Sequence, residues 1–226
     1  MKILLIGDHE EKALWDDWSE QMAARFSDID LILSAGDLDS DYLEFLVTMM
    51  NIPLVYVHGN HDQSYLRKPP QGCIDADGKI VEIRCGNPSE RIRILGLGGS
   101  MRYNNEAPYM FTEKEMQRQI SRFRKTFFRH FDVLLTHAPC KGYGDLDDLP
   151  HQGFECFNDL LNRYHPKLHV YGHIHRAYGE NRGSLQISGR EQELSKNEIK
   201  GFQRMITHPS GTILVNADSY YVFEYK

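Results

Sequence analysis

Short runs of Val, Ile and Leu recur along the chain at Lys2–Ile6, Leu31–Leu33, Leu54–Val57, Ile92–Leu95, Val133–Leu135, Leu168–Tyr171 and Ile213–Val215. Apolar stretches this short, with no polar alternation, fit strands buried on both faces rather than strands with one wet side. Helical spacing fills the gaps. Leu14, Trp18, Met22 and Phe26 recur every four residues across Ala13–Phe26. Leu43, Leu46, Val47 and Met50 share one side of a helix from Ser40 to Met50, with Ser40 as its candidate cap. Thr112 and Glu115 form the pattern of a capping box that opens a helix from Glu113 to Phe131, with Met116, Ile120, Phe123 and Phe127 along it. Strand and helix alternate as far as His58, which predicts a parallel βαβαβ start. Later runs, including Lys79–Ile83 and Tyr220–Glu224, are joined by Gly, Pro, Asn and Asp, as in hairpins of a second, mixed sheet. The expectation is an α/β fold, two packed mixed β-sheets flanked by helices, in a single domain over 1–226. Gly179 to Gly211 is polar and irregular, and reads equally as a hairpin excursion, a lid or a mobile loop.

Composition narrows the function. The 226 residues carry a net charge of −6, which argues against a long nucleic acid as partner. The opening MKILLIGD is too short for the apolar segment of a secretion signal, and no run approaches the roughly 18 apolar residues of a membrane span. Cys73, Cys85, Cys140 and Cys156 lack metal or redox spacing and read as reduced thiols. A cytoplasmic protein that does not use a membrane is expected.

The chemistry lies just past the apolar runs. Asp8, His9 and Glu10 follow the first and Asp37 the second. Asn60 and His61 follow the third, His137 the fifth, and His173 and His175 the sixth. Ligands of open α/β sheets bind at that edge. A Gly-Asp pair or a lone Gly-Asn-His-Asp is by itself ordinary turn chemistry; their joint recurrence at five strand ends is not. Carboxylates, imidazoles and one amide oxygen suit Mn, Fe or Zn better than Mg or Ca. Two such cations about 3.5–4 Å apart, bridged by Asp37, would clamp a phosphate.

Gly36-Asp37, Gly59-Asn60-His61-Asp62, His137 and Gly172-His173-Ile174-His175 together resemble the signature of the calcineurin-like metallophosphoesterase superfamily. The resemblance spans Met1 to about Tyr178 and implies a four-layer α/β/β/α sandwich holding two divalent metals, Mn or Fe first, then Zn or Ni. It implies that Asp8, Asp37 and His175 hold one metal and Asn60, His137 and His173 the other. His61 would be the catalytic acid, and the attacking group a hydroxide bridging the metals. The implied activity is hydrolysis of phosphate mono- or diesters, as a phosphatase or phosphodiesterase, on a small phosphoester or nucleotide. The pattern departs at Asp8-His9-Glu10, where the family has His in the third place. On an extended backbone, residues i and i+2 share a face. Glu10 is therefore preferred to His9 as the remaining ligand of the first metal.

Other residues are weaker candidates. The turn Gly98 to Arg102 could bring backbone N–H groups or the Arg102 guanidinium to a phosphate. His151 could line the substrate cleft or simply face solvent. The basic residues of the Glu113–Phe131 helix read as a solvated face, and Trp15 and Trp18 as core or interface residues. The alternative to an enzyme is a metallophosphoesterase-like scaffold for protein interaction. Retention of His61 weighs against it and the altered Glu10 for it. Oligomeric state is open.

Overall fold

A computed structural model describes residues 1–86, 90–105, 107–124, 130–175, 184–187, 190–193 and 203–226. The strands are β1 Lys2–Gly7, β2 Leu31–Ser34, β3 Leu54–Tyr56, β4 Ile74–Asp75, β5 Lys79–Arg84, β6 Arg91–Leu97, β7 Ser100–Met101 and β8 Met110–Phe111. They continue with β9 Val133–Thr136, β10 Leu168–Tyr171, β11 Ser184–Ile187, β12 Arg190–Glu193, β13 Met205–Thr207, β14 Ile213–Asn216 and β15 Ser219–Glu224. The helices are α1 Glu20–Arg25, α2 Ser40–Met50, α3 Glu113–Arg124 and α4 Glu155–Tyr164.

The first sheet runs β15-β1-β2-β3-β4 and the second β13-β14-β10-β9-β6-β5. In the first, β1 to β4 are parallel and β15 joins β1 antiparallel. In the second, β6, β9, β10 and β14 are parallel, with β5 and β13 antiparallel at the edges.

Each buried strand serves two cores at once. Ile3, Leu5, Leu31, Leu33 and Val55 point from the first sheet toward Ile94, Val133, Leu135, Val170 and Val215 of the second. Their neighbours Leu4, Ile6, Ile32 and Leu54 point the other way, under Leu43 and Leu46 of α2. Leu95, Leu134, Tyr171 and Leu214 pack against Met116 of α3 and Phe157, Leu160 and Leu161 of α4. Three apolar layers explain why the strand runs show no polar alternation. The expected four-layer α/β/β/α sandwich is the observed fold.

Local expectations fare unevenly. The capping box at Thr112 forms in both directions: Thr112 N donates to Glu115 Oε2 at 2.8 Å, and Glu115 N to Thr112 Oγ1 at 3.3 Å. The cap of α2 is Asp39 rather than Ser40, its carboxylate accepting from Asp41 N at 2.8 Å. The single helix expected over Ala13–Phe26 is broken. A tight turn at Lys12–Leu14 is followed by α1, which restarts on Ser19, whose hydroxyl accepts from Met22 N. The four-residue apolar period marks the face that meets the core, with Leu14 and Phe26 buried and Trp18 and Met22 packed against it. Trp15 and Trp18 both lie against Phe45, at 5.0 and 6.0 Å between ring centroids.

Helix α3 is described to Arg124; Phe127 and the side chain of Phe123 lie outside the described residues. Within Gly179–Gly211, β11 and β12 form an antiparallel hairpin, and most of the rest lies outside the described residues. All four cysteines are free. Among the described residues no helix is long and apolar enough to cross a membrane.

Leu33 is fully buried between the sheets. Truncation by Leu33→Ala is expected to cost about 2–5 kcal/mol in urea unfolding, the range for a buried leucine that leaves a cavity. A loss near zero would mean that the two sheets are not packed tightly there.

Candidate metal centre

Three strand ends share one backbone device. Each strand runs into a glycine, and the next residue takes a left-handed conformation: Asp8 after Gly7 (φ 63°), Asp37 after Gly36 (φ 56°) and His173 after Gly172 (φ 69°). Non-glycine residues adopt this region at a cost of roughly 1–3 kcal/mol, and such strain gathers at functional sites. Close approach requires glycine nearby too. A Cβ on Gly59 would collide with the Asp37 carboxylate and sit 2.7 Å from His137 Cε1, and one on Gly172 would sit 2.7 Å from Asp8 Oδ2.

One donor cluster takes ligands from both sheets. His137 Nε2 lies 3.0 Å from Asn60 Oδ1, 3.1 Å from His173 Nδ1 and 3.4 Å from Asp37 Oδ2. The outer atoms of these groups are committed elsewhere. His137 Nδ1 donates to Ala35 O and His173 Nε2 to Pro150 O, each at 2.8 Å, while Asn60 Nδ2 donates to the Tyr103 hydroxyl at 3.4 Å. These bonds fix both tautomers and the amide orientation. With both imidazoles neutral, what points inward is therefore four lone-pair acceptors, an arrangement that repels itself unless a proton or a cation lies between. The donors fit a divalent metal on this ground.

The electrostatics agree. Burial pushes the Asp8 carboxyl up to about 7, against the pull of His137. Burial would also raise Asp37, but the adjacent His137 outweighs it and holds that carboxyl below the usual range. His137 resists its own burial, because Asp37 and Asp8 raise it to about 9. Burial and then His137 push His173 down to about 3. A proton on His137 Nε2 is the positive charge that a bound cation would replace. Asp62 ties the loops together from behind: one oxygen accepts from Gly59 N at 2.6 Å and Asp37 N at 2.8 Å, and burial, aided by Asp37, raises its carboxyl to about 6.

A second cluster adjoins the first. His9 Nε2 lies 3.4 Å from His175 Nδ1, and His9 Nδ1 lies 2.7 Å from Asp218 Oδ1. Each of the three residues has a ligand atom within 4.8 Å of the others, as do Asp37, His137 and His173 in the first cluster. Asp8 stands between the clusters, both oxygens accepting from His173 N at 2.8 and 3.0 Å.

The preference for Glu10 over His9 rests on an extended backbone, which the left-handed Asp8 does not provide. Glu10 is exposed and turns to α2, where its Oε1 accepts from Asp39 N at 2.9 Å. The Arg102 guanidinium, expected at a phosphate, instead pairs with Glu115 at 2.9 Å and donates to Met110 O. The glycine turn before it also has its N–H groups taken, Gly98 by Asp77 and Gly99 by His58 O.

His151 does lie beside the cluster, its ring 5.3 Å from that of His173 and its Nδ1 2.6 Å from Asp148. His61 is exposed, tethered by its backbone N–H to Asp37 Oδ1 at 2.8 Å. Sequence reasoning missed Asp218 and Tyr103. For Asp218 a signal existed: it follows the run Ile213–Val215 just as the other candidates follow theirs. Nothing in the sequence singled out Tyr103.

Oxygen and imidazole donors are thus gathered where the parallel strands of two packed sheets end. The chain belongs to the calcineurin-like phosphoesterase family, whose model matches residues 1–177. It is similar to UPF0046 protein T07D4.2 of Caenorhabditis elegans, 48% identical over 50 residues, which are 21% of this chain and 13% of that protein. It is also similar to human metallophosphoesterase domain-containing protein 1, 41% identical over 51 residues, 21% of this chain and 16% of that protein. The chain spans under a fifth of the length of the curated relatives it matches. The fold is shared with TT1561 of Thermus thermophilus, at TM-score 0.56 and 14% identity, over 96% of this chain and 89% of that one.

Ligands bind metal as carboxylate and neutral imidazole, so protons compete with it. With Asp8 titrating near 7 and His137 near 9, both hold a proton at pH 5.5 and both release it more readily at pH 8. Added Mn(II) is therefore expected to raise the melting temperature more at pH 8 than at pH 5.5, and equal shifts would contradict the assignment. Gly59→Ala should abolish metal binding at the His137 cluster in equilibrium dialysis, since its Cβ takes the space of the Asp37 carboxylate.

Proposed function

We propose that the chain hydrolyses small phosphoesters using two divalent cations, Mn or Fe before Zn or Ni. The observation that carries this is the pairing of an inward-facing donor cluster with the exposed His61 imidazole, tethered through its backbone to one of those donors. Bound cations supply Lewis acidity: they neutralise phosphoryl charge and make a water acidic enough to deprotonate near neutral pH.

The chain's own residues do the rest. Asp37 faces both His137 and His61, so it links the buried donors to the open side of the site. Tyr103 and the carbonyls of Ala35 and Pro150 hold Asn60, His137 and His173 in the orientation a ligand needs. His61, on the solvent side, would donate a proton to the leaving-group oxygen. The partly exposed His151, next to His173, lies where the rest of a substrate would pass. A small phosphoester or nucleotide fits the net charge of −6 better than a long nucleic acid does.

The test is turnover of an aryl phosphodiester and an aryl phosphomonoester with added Mn(II). His61→Ala is expected to lower kcat about 10²–10⁴-fold, the usual contribution of a positioned proton donor, with metal content unchanged. Wild-type protein inert toward both esters with Mn, Fe, Zn and Ni would support the scaffold reading instead.

A further inference from the structure

We infer that His9 is the imidazole ligand of the first cation, and that Asp218, from the β14–β15 connection, is the positioning residue that makes His9 competent. This rests on the proposal that the strand-end clusters hold cations, and adds to it a residue from outside the family-matched segment 1–177.

The backbone decides which side chain arrives. Asp8 is left-handed and His9 N donates to Gly7 O at 2.6 Å, so the chain reverses tightly one residue after the strand. The reversal brings His9 rather than Glu10 over His175; the rings meet edge to face with centroids 4.7 Å apart. An imidazole at this place is useful only if its lone pair faces the cation. Asp218 secures that: its Oδ1, 2.7 Å from His9 Nδ1, takes the proton-bearing nitrogen and leaves Nε2 toward His175. His137 and His173 are oriented in the same manner by neutral carbonyls. A carboxylate does so more strongly and makes the imidazole a better donor to metal.

Asp218 is itself built in. It is only 4% exposed, its N–H donates to Asn216 Oδ1 at 2.8 Å, and its carbonyl accepts from Arg204 Nη1 at 2.9 Å. Asn216 Nδ2 in turn donates to Ile174 O at 2.8 Å, between the two histidines of the sixth motif. Asn216 thus ties the backbone of Asp218 to that of the residue before His175. His9 is half-exposed at 49%, which makes it the solvent-side ligand of the site.

The experiment is Mn(II) stoichiometry and affinity by equilibrium dialysis, with the visible spectrum of the Co(II)-substituted protein as a report on coordination. Wild type is expected to bind two ions. His9→Ala should bind one, Glu10→Ala should bind two, and His9→Gly should regain the second ion when free imidazole is added. Asp218→Asn should still bind two, with the weaker site loosened about 10–100-fold and the Co(II) spectrum altered, as for loss of a carboxylate behind a ligating histidine. The ion retained in His9→Ala shows that the variant is folded.

Wild type binding fewer than two ions would overturn the two-cation reading itself. Two ions in wild type, two of unchanged affinity in His9→Ala and one in Glu10→Ala would overturn this inference alone. Unchanged affinity and spectrum in Asp218→Asn would remove the positioning role of Asp218.

Discussion

The donor clusters exist because two apolar sheet faces pack against each other in one alignment. Asp8, Asp37 and Asn60 arrive on strands of the first sheet, and His137, His173 and His175 on strands of the second. No disulfide fixes one group to the other. What does is the layer formed by Ile3, Leu5, Leu33, Val133, Leu135, Val170 and their neighbours, all fully buried. Close packing in such a layer tolerates no sliding by a fraction of a residue, so the positions of ligands at the far edge inherit its precision. The hydrogen bonds from His137 to Ala35 O and from His173 N to Asp8 then tie the two sheets together at the edge itself.

The centre also stores electrostatic cost. Asp8, Asp37 and Asp62 are carboxylates in dry surroundings, and taking such groups out of water is expensive unless each gains a partner. Asp62 is compensated by two backbone N–H groups, and Asp37 by His137 and His61 N. Asp8 has the N–H of His173 and still titrates near 7. A cation is the partner that would let it ionise fully, and affinity for that cation is the form in which the stored cost becomes useful.

Much of this was legible in the chain. The apolar runs located the buried strands, and the residues after them located the edge where ligands meet. The wholly apolar runs of β1, β2 and β9 implied cover on both faces, hence the four layers. What failed were inferences that depended on a backbone angle. The period-four pattern of Leu14, Trp18, Met22 and Phe26 reported a buried face correctly, yet Ser19 capped a new helix inside it. The step from Asp8 to Glu10 assumed a pleat that one left-handed residue removes. Arg102 offered a plausible charge for phosphate, but Glu115 of the capping box lay close enough to take it. Asp218 followed the same rule as the other strand-end candidates. Its run, Ile213–Val215, reads as one arm of a hairpin in the second sheet, a pattern that gives the residues after it no special weight.

The connection that carries Asp218 has a mechanical meaning. Strand β14 belongs to the second sheet and β15 to the first, and only Ala217 and Asp218 separate them. Ala217 is buried between the sheets, with its N–H on Tyr171 O at 2.7 Å. The two residues act as a rivet through both layers at the edge where the donors gather. Sliding of one layer over the other would strain this two-residue link, as it would the three residues between β4 and β5, and the donors beside it would be displaced with it.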